Sequence, residues 1–339
     1  MSDHGEKRRR LDFDTRRLGS GAQSMTVSAQ GLGCMGMTAF YGNPMADDDA
    51  VALLKHAAAN GVTHWDTAEA YHVKLEDGTT KWNEHVIAKG IAAVGREKLT
   101  IATKYMPKLH GDTLTGEQAI DACRASNQRL GIEFCDLYYV HRLAEKTPVK
   151  EQAEAMNAVL KAGLAKFIGV SEFSPRNIRA FHAICPITCV QQEWSLMNRD
   201  LEQELVPCCR ELGIGIVAYS PLCRSLLSGS VKTTSDLGGG ADDKRPFRYG
   251  KLAAGNLEKN ATLIEAVTKL ANEQGVSTAQ LSLAWVSHQG SDVVPIPGTT
   301  KIQHLNENLA ARDVMLTAAQ LELIASAVPQ DQIVGDRYS

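Results

Sequence analysis

The sequence has 339 residues, 44% of them hydrophobic, and a formal net charge of −3. A chain of this length forms one or two domains and can bury a full core. The slightly acidic balance argues against a general nucleic-acid-binding protein, which would carry a concentrated basic face. No apolar run is long enough to span a membrane, so no membrane partner is expected.

The two ends of the chain are polar. Residues 1–10 contain a short basic run at 7–10, and we interpret them as a disordered basic tail, with a localisation or anionic-surface signal as the alternative. The amino terminus lacks the apolar core of a secretory signal, and the final residues match no peroxisomal or endoplasmic-reticulum address. We therefore expect a cytoplasmic protein, with residues 331–339 as a carboxyl-terminal tail.

Eight cysteines are scattered along the chain without the regular spacing of metal ligands. In a chain of this length without a secretory signal, they are expected to be reduced and mostly buried thiols. No metal site is predicted. The cysteines are Cys34, Cys123, Cys135, Cys185, Cys189, Cys208, Cys209 and Cys223.

Eight short apolar runs are rich in β-branched, leucine and aromatic residues. They are continuous rather than alternating, which is typical of strands buried on both faces of a parallel sheet. The predicted strands cover residues 27–34, 62–67, 99–104, 134–141, 166–172, 188–194, 213–220 and 292–298.

Helical patterns lie between most of these strands, and several begin with acidic residues or end at glycine. Alternating strands and helices predict a parallel sheet with right-handed crossovers, and eight strands favour a closed (β/α)8 barrel over an open doubly wound sheet. We predict one barrel domain over residues 11–330, with a small amino-terminal hairpin from residue 11 and a carboxyl-terminal helix at 317–328. The other predicted helices cover residues 46–60, 116–130, 147–162, 174–184, 201–212, 260–274 and 279–288.

One long irregular segment, residues 223–256, lies between the seventh and eighth predicted strands and includes the glycine run 238–240. A loop of this length in a compact domain is usually functional or mobile. Its place in the chain predicts that it lies over the active face of the barrel.

The segment 31–36 matches the dinucleotide fingerprint GxGxxG, with Gly31, Gly33 and Gly36. That fingerprint requires a helix directly after it, but residues 37–44 contain a glycine and a proline, and no helix begins there. We therefore reject a Rossmann site. The glycines are expected to let the end of the first strand approach a ligand or a neighbouring strand closely.

Four polar side chains lie at or just after predicted strand ends. Asp66, Lys104 and His141 each end a strand, and Tyr71 follows Asp66 by five residues. The carboxyl ends of parallel strands carry the chemistry of α/β folds, so these side chains are expected to meet. Such a set suits carbonyl reduction, in which one group gives a proton and its neighbours tune it. The structural alternatives are a helix cap for Asp66, a solvated strand end for Lys104 and a core histidine for His141.

These four residues and a series of downstream motifs resemble the aldo-keto reductase superfamily over nearly the whole chain, from about residue 16 to 328. The finer match is to the branch of plant auxin-induced-like and perakine-reductase-like enzymes and their microbial relatives. It is carried by GCMGM at 33–37 and VPIPGTTKI at 294–302. The other motifs are KFIGVSEFS at 166–174, VQQEWS at 190–195, AYSPL at 218–222 and PIPGTTK at 295–301.

The resemblance implies a (β/α)8 barrel that uses NADPH without a Rossmann fold. It also implies roles for the four strand-end residues. Tyr71 would be the general acid that protonates the carbonyl oxygen, and Lys104 would lower its pKa. Asp66 would pair with Lys104 and hold it, while His141 would orient the carbonyl.

At the nicotinamide end, the resemblance implies that Ser171 and Gln191 bind the carboxamide and that the ring of Tyr219 stacks on the nicotinamide. Glu172 departs from the asparagine found in many family members, although this branch often has glutamate. The residues from 72 to 82 form a longer link than usual beside Tyr71 and are expected to shape the substrate pocket.

At the phosphate end, the motif with Gly298 leads into the cofactor-binding residues. Lys301, with Thr300 and the start of the following helix, would hold the adenosine 2′-phosphate. Glu307 and Asn308 would lie near the adenine. A cation, hydroxyls and a helix amino terminus together favour an anion.

The resulting hypothesis is an NADPH-dependent reductase of a small-molecule aldehyde or ketone, with no nucleic-acid partner and, by family default, a monomer. The main alternative is a non-catalytic NADPH-binding sensor or partner-binding subunit on the same barrel. A non-redox barrel enzyme, such as a lyase or hydrolase, is the third hypothesis. The substrate itself depends on pocket loops that the sequence does not rank.

Overall fold

The computed structural model describes residues 15–40, 43–237 and 245–337. The predicted tail at 1–10, residues 11–14 of the predicted hairpin and the glycine run 238–240 lie outside these ranges. The strands, in chain order, are β1 (Thr15–Leu18), β2 (Met25–Ser28), β3 (Leu32–Gly33), β4 (His64–Asp66), β5 (His72–Lys74), β6 (Thr80–Trp82), β7 (Thr100–Tyr105), β8 (Cys135–Val140), β9 (Ala165–Ser171), β10 (Cys189–Glu193), β11 (Gly215–Tyr219) and β12 (Val293–Pro295).

Eight of these strands form one parallel sheet, in the order β3, β4, β7, β8, β9, β10, β11 and β12. The first and last strands meet, because the backbone N–H of Gly31 donates to the carbonyl of Pro295 at 3.0 Å. A Cβ atom on Gly33 would lie 2.8 Å from the backbone oxygen of Ile296, so this seam needs glycine. The predicted (β/α)8 barrel is therefore confirmed.

Helices follow the strands and cover the outside of the sheet. Several begin with a capping box, as at Thr115, whose hydroxyl accepts from the backbone of Gln118. The helices are α1 (Asp47–Ala59), α2 (Asn83–Val94), α3 (Gly116–Leu130), α4 (Val149–Lys161), α5 (Pro175–His182), α6 (Leu201–Glu211), α7 (Arg245–Arg248), α8 (Asn256–Glu273), α9 (Thr278–Ser287), α10 (Ile302–Ala310) and α11 (Ala318–Ser326).

The single strand predicted at residues 27–34 is wrong, because this segment belongs to two strands. Residues of β2 pair antiparallel with β1 to form the amino-terminal hairpin, and β3 enters the barrel. The chain turns between them because the Ser28 hydroxyl donates to the carbonyl of Gln30 and accepts from the backbone of His64. The hairpin lies at the amino end of the barrel, where a Cβ on Gly215 would meet Leu18 at 2.6 Å.

The inserted residues after Tyr71 form a second hairpin from β5 and β6, with His72 opposite Trp82. The rings of His72 and Trp82 lie 4.6 Å apart, and the Arg129 guanidinium lies 4.4 Å from the Trp82 ring. Arg129 also donates to the fully buried carboxylate of Glu84 at 2.5 Å. The insertion is thus fixed to the barrel wall beside the loop that carries Tyr71.

The segment after β11 has short helical turns at Cys223–Ser228, Thr234–Leu237 and Gly250–Leu252 in addition to α7. Residues 331–337, expected to be a tail, pack against this segment and α8. A Cβ on Gly335 would lie 2.4 Å from the backbone oxygen of Gly250, and the backbone of Val334 forms two hydrogen bonds with the Asn260 amide. All eight cysteines are buried, as expected.

In the described ranges, no helix combines the length and apolar character needed to cross a membrane. The same part of the chain contains no group of three or more histidine, cysteine or acidic side chains placed to hold a metal ion.

Candidate active site

A buried ion pair lies at the carboxyl ends of β4 and β7. The Lys104 ammonium donates to one carboxylate oxygen of Asp66 and, at 2.7 Å, to the backbone carbonyl of Thr67. Lys104 is fully buried and Asp66 is 2% exposed. A buried charge is stable only when it is paired and hydrogen-bonded, so each of these residues requires the other.

The second oxygen of Asp66 is also occupied. The Gln191 amide nitrogen, from β10, donates to it at 2.7 Å. Gln191 therefore completes the hydrogen bonding of the carboxylate in this structure. Its expected contact with a nicotinamide carboxamide stays a prediction.

Tyr71 lies in the loop after β4, with its ring beside the ion pair. The Lys104 ammonium is 5.1 Å from the Tyr71 ring centroid, and the His141 ring meets Tyr71 edge-on at 5.7 Å. The backbone of the loop is held from two sides, because the Tyr71 carbonyl accepts from the Asn83 N–H at 2.8 Å and from the Thr38 hydroxyl at 3.2 Å. The structure therefore brings the four predicted catalytic residues together.

Burial raises the pKa of Tyr71 above its usual value of 10, and the nearby Lys104 charge opposes this shift. The expected lowering by Lys104 is present, but burial has the larger effect and the net direction is upward. For Lys104, burial acts to lower the pKa, while attraction to Asp66 and Tyr71 outweighs it and raises the pKa above 10.5. The tyrosine is thus held protonated beside a permanent positive charge.

His141 directly follows β8, in surroundings that favour the neutral imidazole. Burial, together with the positive charges of Lys104 and Arg142, lowers its pKa well below 6.5. Within the described ranges its Nδ1 atom has no hydrogen-bond partner, although it is buried. A neutral imidazole has one donor and one acceptor nitrogen, so this ring can donate to an oxygen next to Tyr71 without carrying charge.

The residues expected at the nicotinamide end lie on three adjacent strands, with Gln191 within β10 and Ser171 and Tyr219 at the carboxyl ends of β9 and β11. Ser171 is fully buried at the end of β9, where its hydroxyl accepts from Arg142 at 3.3 Å. Tyr219 ends β11, and its hydroxyl donates to Glu172 at 2.9 Å. Glu172 has a left-handed backbone with φ of 62°, a conformation that asparagine adopts more easily than glutamate.

The residues expected at the phosphate end lie on the segment from β12 into α10. Gly298, Thr300 and Lys301 are exposed, and Lys301 caps the amino terminus of α10. Along α10, Asn308 is buried and Glu307 is half-buried. The exposed Thr300 hydroxyl and Lys301 ammonium lie at a helix amino terminus, and this combination suits a phosphate.

Two supporting residues, Glu69 and its partner His110, were not predicted from the sequence. The carboxylate of Glu69 accepts from the backbone N–H of Met106 at 2.6 Å and from the His110 ring at 3.0 Å. It thereby ties the Tyr71 loop to the segment after β7. Glu69 sits in the same motif as Asp66 and Tyr71, but nothing in its spacing identifies a partner 41 residues away.

The family profile described as "Aldo/keto reductase family" matches residues 31–329. The chain belongs to the aldo/keto reductase family. It is 41% identical over 331 residues to a Glycine max protein named "Probable aldo-keto reductase 1", an alignment that covers 94% of this chain and 90% of that protein. The protein is therefore an oxidoreductase by family.

Solved aldo-keto reductase structures share the fold along nearly all of the chain. The thermostable aldo-keto reductase Tm1743, in complex with the inhibitor epalrestat, has a TM-score of 0.72 and 29% identity, and the match covers 92% of this chain and 99% of that one. A Klebsiella pneumoniae aldo/keto reductase in complex with NADP and acetate has a TM-score of 0.71 and 25% identity, over 96% and 99% of the two chains. A Klebsiella pneumoniae enzyme in complex with NADPH has a TM-score of 0.70 and 25% identity, over 95% and 99%.

Proposed function

We propose that this protein reduces an aldehyde or ketone to an alcohol, with NADPH as hydride donor and Tyr71 as general acid. The observation that carries the proposal is the position of Tyr71 beside the buried Lys104–Asp66 pair at the barrel mouth. Identity of 41% to the Glycine max protein supports a place in the plant-enzyme branch.

The residues of this chain fit a nicotinamide cofactor with a 2′-phosphate. Ser171 and Gln191 lie opposite each other on β9 and β10, Tyr219 ends the neighbouring β11, and Lys301 lies at a helix amino terminus. Two structural relatives hold NADP or NADPH, which supports the same cofactor here. When bound, NADPH supplies the hydride, and the protein supplies orientation and electrostatics.

The proposed proton transfer follows from the charge that develops on the substrate oxygen. Tyr71 keeps its proton in the resting site because burial raises its pKa. As the carbonyl carbon accepts the hydride, its oxygen becomes negative and takes the proton from the Tyr71 hydroxyl. The resulting phenolate is stabilised by the Lys104 ammonium, which Asp66 keeps charged.

The neutral His141 ring completes the proposed site by donating an N–H to the same substrate oxygen. Tyr71 and His141 are 8% and 9% exposed, so water reaches them poorly. Electrostatic interactions are stronger in such a site than in bulk water, because less solvent screens them. Orientation and stabilisation of the oxygen are therefore assigned to His141, and proton donation to Tyr71.

The proposal is tested by titrating the purified protein with NADPH and NADH by fluorescence and then adding 4-nitrobenzaldehyde. We expect NADPH binding and loss of reduced-nicotinamide absorbance. Tyr71→Phe should lower kcat at least about 100-fold, in the range of general acid catalysis, while Kd for NADPH changes less than about threefold. NADPH binding without turnover on a panel of carbonyls would support the sensor alternative, and absence of NADPH binding would contradict the cofactor assignment.

A further inference from the structure

The last described residue of the chain reaches the mouth of the barrel. The Arg337 guanidinium pairs with the carboxylate of Glu172, which follows Ser171 at the end of β9. Its Nε atom also lies 3.9 Å from an oxygen of Glu193, the last residue of β10. One arginine thus lies between two carboxylates on neighbouring strands.

The segment that carries Arg337, residues 330–337, is held in place by several hydrogen bonds and a close backbone contact. The Asn260 side chain is fully buried and bonds both the N–H and the carbonyl of Val334, at 3.0 and 2.9 Å. The Gln330 amide donates to the carbonyl of Leu196 at 2.9 Å. Gly335 approaches the backbone of Gly250 so closely, with φ of 89°, that a Cβ would lie 2.4 Å from the Gly250 oxygen. These contacts fix where Arg337 enters the site.

The two carboxylates need a cation between them. Glu193 is 3% exposed, and one of its oxygens accepts from the Asn198 amide at 2.7 Å. Burial and the charge of Glu172 raise the pKa of Glu193, whereas Arg224, Arg337 and Lys251 oppose that shift. Without Arg337, Glu172 and Glu193 would repel each other at adjacent strand ends.

The carboxylate that Arg337 holds is also the hydrogen-bond acceptor of Tyr219. One Glu172 oxygen binds Arg337, and the other accepts from the Tyr219 hydroxyl at 2.9 Å. Glu172 therefore connects the end of the chain to the aromatic ring expected beneath the nicotinamide. A shift of this carboxylate would remove a hydrogen bond that holds the hydroxyl end of that ring.

We propose that Arg337 is a positioning residue, which fixes Glu172 and through it sets the orientation of Tyr219 at the nicotinamide subsite. The inference rests on the proposed function, because it assigns Tyr219 to that subsite. Arg337 touches neither substrate nor reacting atoms in this assignment. Replacing Arg337 should therefore disturb the geometry of hydride transfer. This lowers kcat and leaves KM for the carbonyl nearly unchanged.

The test compares Arg337→Met, Arg337→Lys and Glu172→Gln with the wild-type protein, alone and in combination. We expect Arg337→Met to lower kcat about tenfold with KM for 4-nitrobenzaldehyde within about twofold. Arg337→Lys should recover most of the loss, because the charge is retained. In the Glu172→Gln background, Arg337→Met should lower kcat less than about threefold, since the Glu172 carboxylate that Arg337 positions is absent.

The matched control is Arg179→Met, which breaks an exposed arginine–glutamate pair between α5 and α6. It should leave kcat and KM unchanged. Wild-type kcat in Arg337→Met, or equal losses in the presence and absence of the Glu172 carboxylate, would overturn the proposal.

A second measurement separates this inference from the proposed function. Urea unfolding midpoints of the cofactor-free single and double variants should be non-additive if Arg337 and Glu172 interact. Absence of NADPH binding by the wild type, together with non-additive midpoints, would reject the proposed function and the assigned role but leave the contact in place. Additive midpoints together with normal wild-type turnover would reject the Arg337 inference alone.

Discussion

The Gln191 amide nitrogen lies 2.7 Å from the Asp66 carboxylate oxygen that Lys104 does not use. The carboxylate is therefore hydrogen-bonded on both sides inside the barrel. Since a buried ammonium depends on such a partner, the proposed proton transfer depends on Asp66 even though Asp66 donates no proton.

Asp66→Asn is expected to impair both stability and turnover. Loss of one partner leaves the Lys104 charge buried and unpaired, which costs about 3–5 kcal/mol in comparable pairs. With the Lys104 pKa lowered, the Tyr71 phenolate loses its stabilising cation, and kcat should fall at least about 100-fold. Urea unfolding and steady-state reduction measure the two effects. Asp121→Asn, in an exposed pair with Arg124, should change unfolding by less than about 1 kcal/mol.

The kcat for reduction is expected not to change with pH near neutrality. The acid form of Tyr71 is required and is present below its pKa, which burial raises above 10. His141 is already neutral, because its pKa is lowered well below 6.5. The kcat for reduction should thus stay constant from about pH 7 to 9 and decline only in more alkaline solution. A pronounced alkaline decline between pH 7 and 8 would contradict Tyr71 as the acid.

Stability is expected to fall as the solution becomes mildly acidic. Burial lowers the folded-state pKa of His141 and of His64, whose usual value is 6.5. Below pH 6.5 the unfolded chain therefore binds more protons than the folded protein. The contribution of these histidines to the free energy of unfolding is complete above that pH and is lost as the pH falls. Each histidine contributes up to about 1.4 kcal/mol per pH unit.

His141→Gln should reduce this acid slope, measured as Tm between pH 7.5 and 5.5. His85→Gln, at an exposed position of α2, is the control and should leave the slope unchanged. Equal slopes in the wild type and His141→Gln would contradict the assignment of a buried neutral imidazole.

Lys301→Met is expected to weaken NADPH binding without affecting NADH. A charge-assisted hydrogen bond contributes about 1.5–3 kcal/mol, so Kd for NADPH should rise roughly 10- to 100-fold. Lys161→Met, at an exposed position at the end of α4, should change neither Kd. Fluorescence titration with both cofactors gives the ratio of the two Kd values directly. An equal loss of affinity for NADPH and NADH would show that Lys301 does not contact the 2′-phosphate.

The catalytic cluster could be predicted because each member lies at or close after a strand end. Asp66 and His141 are recognisable as polar residues that interrupt apolar runs, and a parallel barrel places all such ends at one rim. The assignment of Ser171, Gln191 and Tyr219 rests instead on the resemblance to the aldo-keto reductase superfamily, and the structure has them on the neighbouring strands β9, β10 and β11. In a parallel barrel, residues at strand ends that are far apart in the sequence thus become neighbours in space.

Other features depend on tertiary contacts that no local pattern contains. The position of Arg337 is fixed by the Asn260 anchor, and its pairing with Glu172 joins residues 165 positions apart. The net rise in the Tyr71 pKa follows from burial, which the sequence does not quantify. The division of residues 27–34 between two strands depends on the contacts of the Ser28 hydroxyl with Gln30 and His64, which the local sequence pattern does not show.

The two ends of the described chain lie at opposite ends of the barrel. The β1–β2 hairpin packs at the amino end, where Leu18 meets Gly215, whereas Arg337 enters the carboxyl-end mouth. A purification tag or fusion partner appended after residue 339 would be separated by only two residues from Arg337, which lies at the mouth of the barrel. Recombinant versions of this protein should carry such additions before residue 1, and a cleavage site at the carboxyl terminus should be avoided.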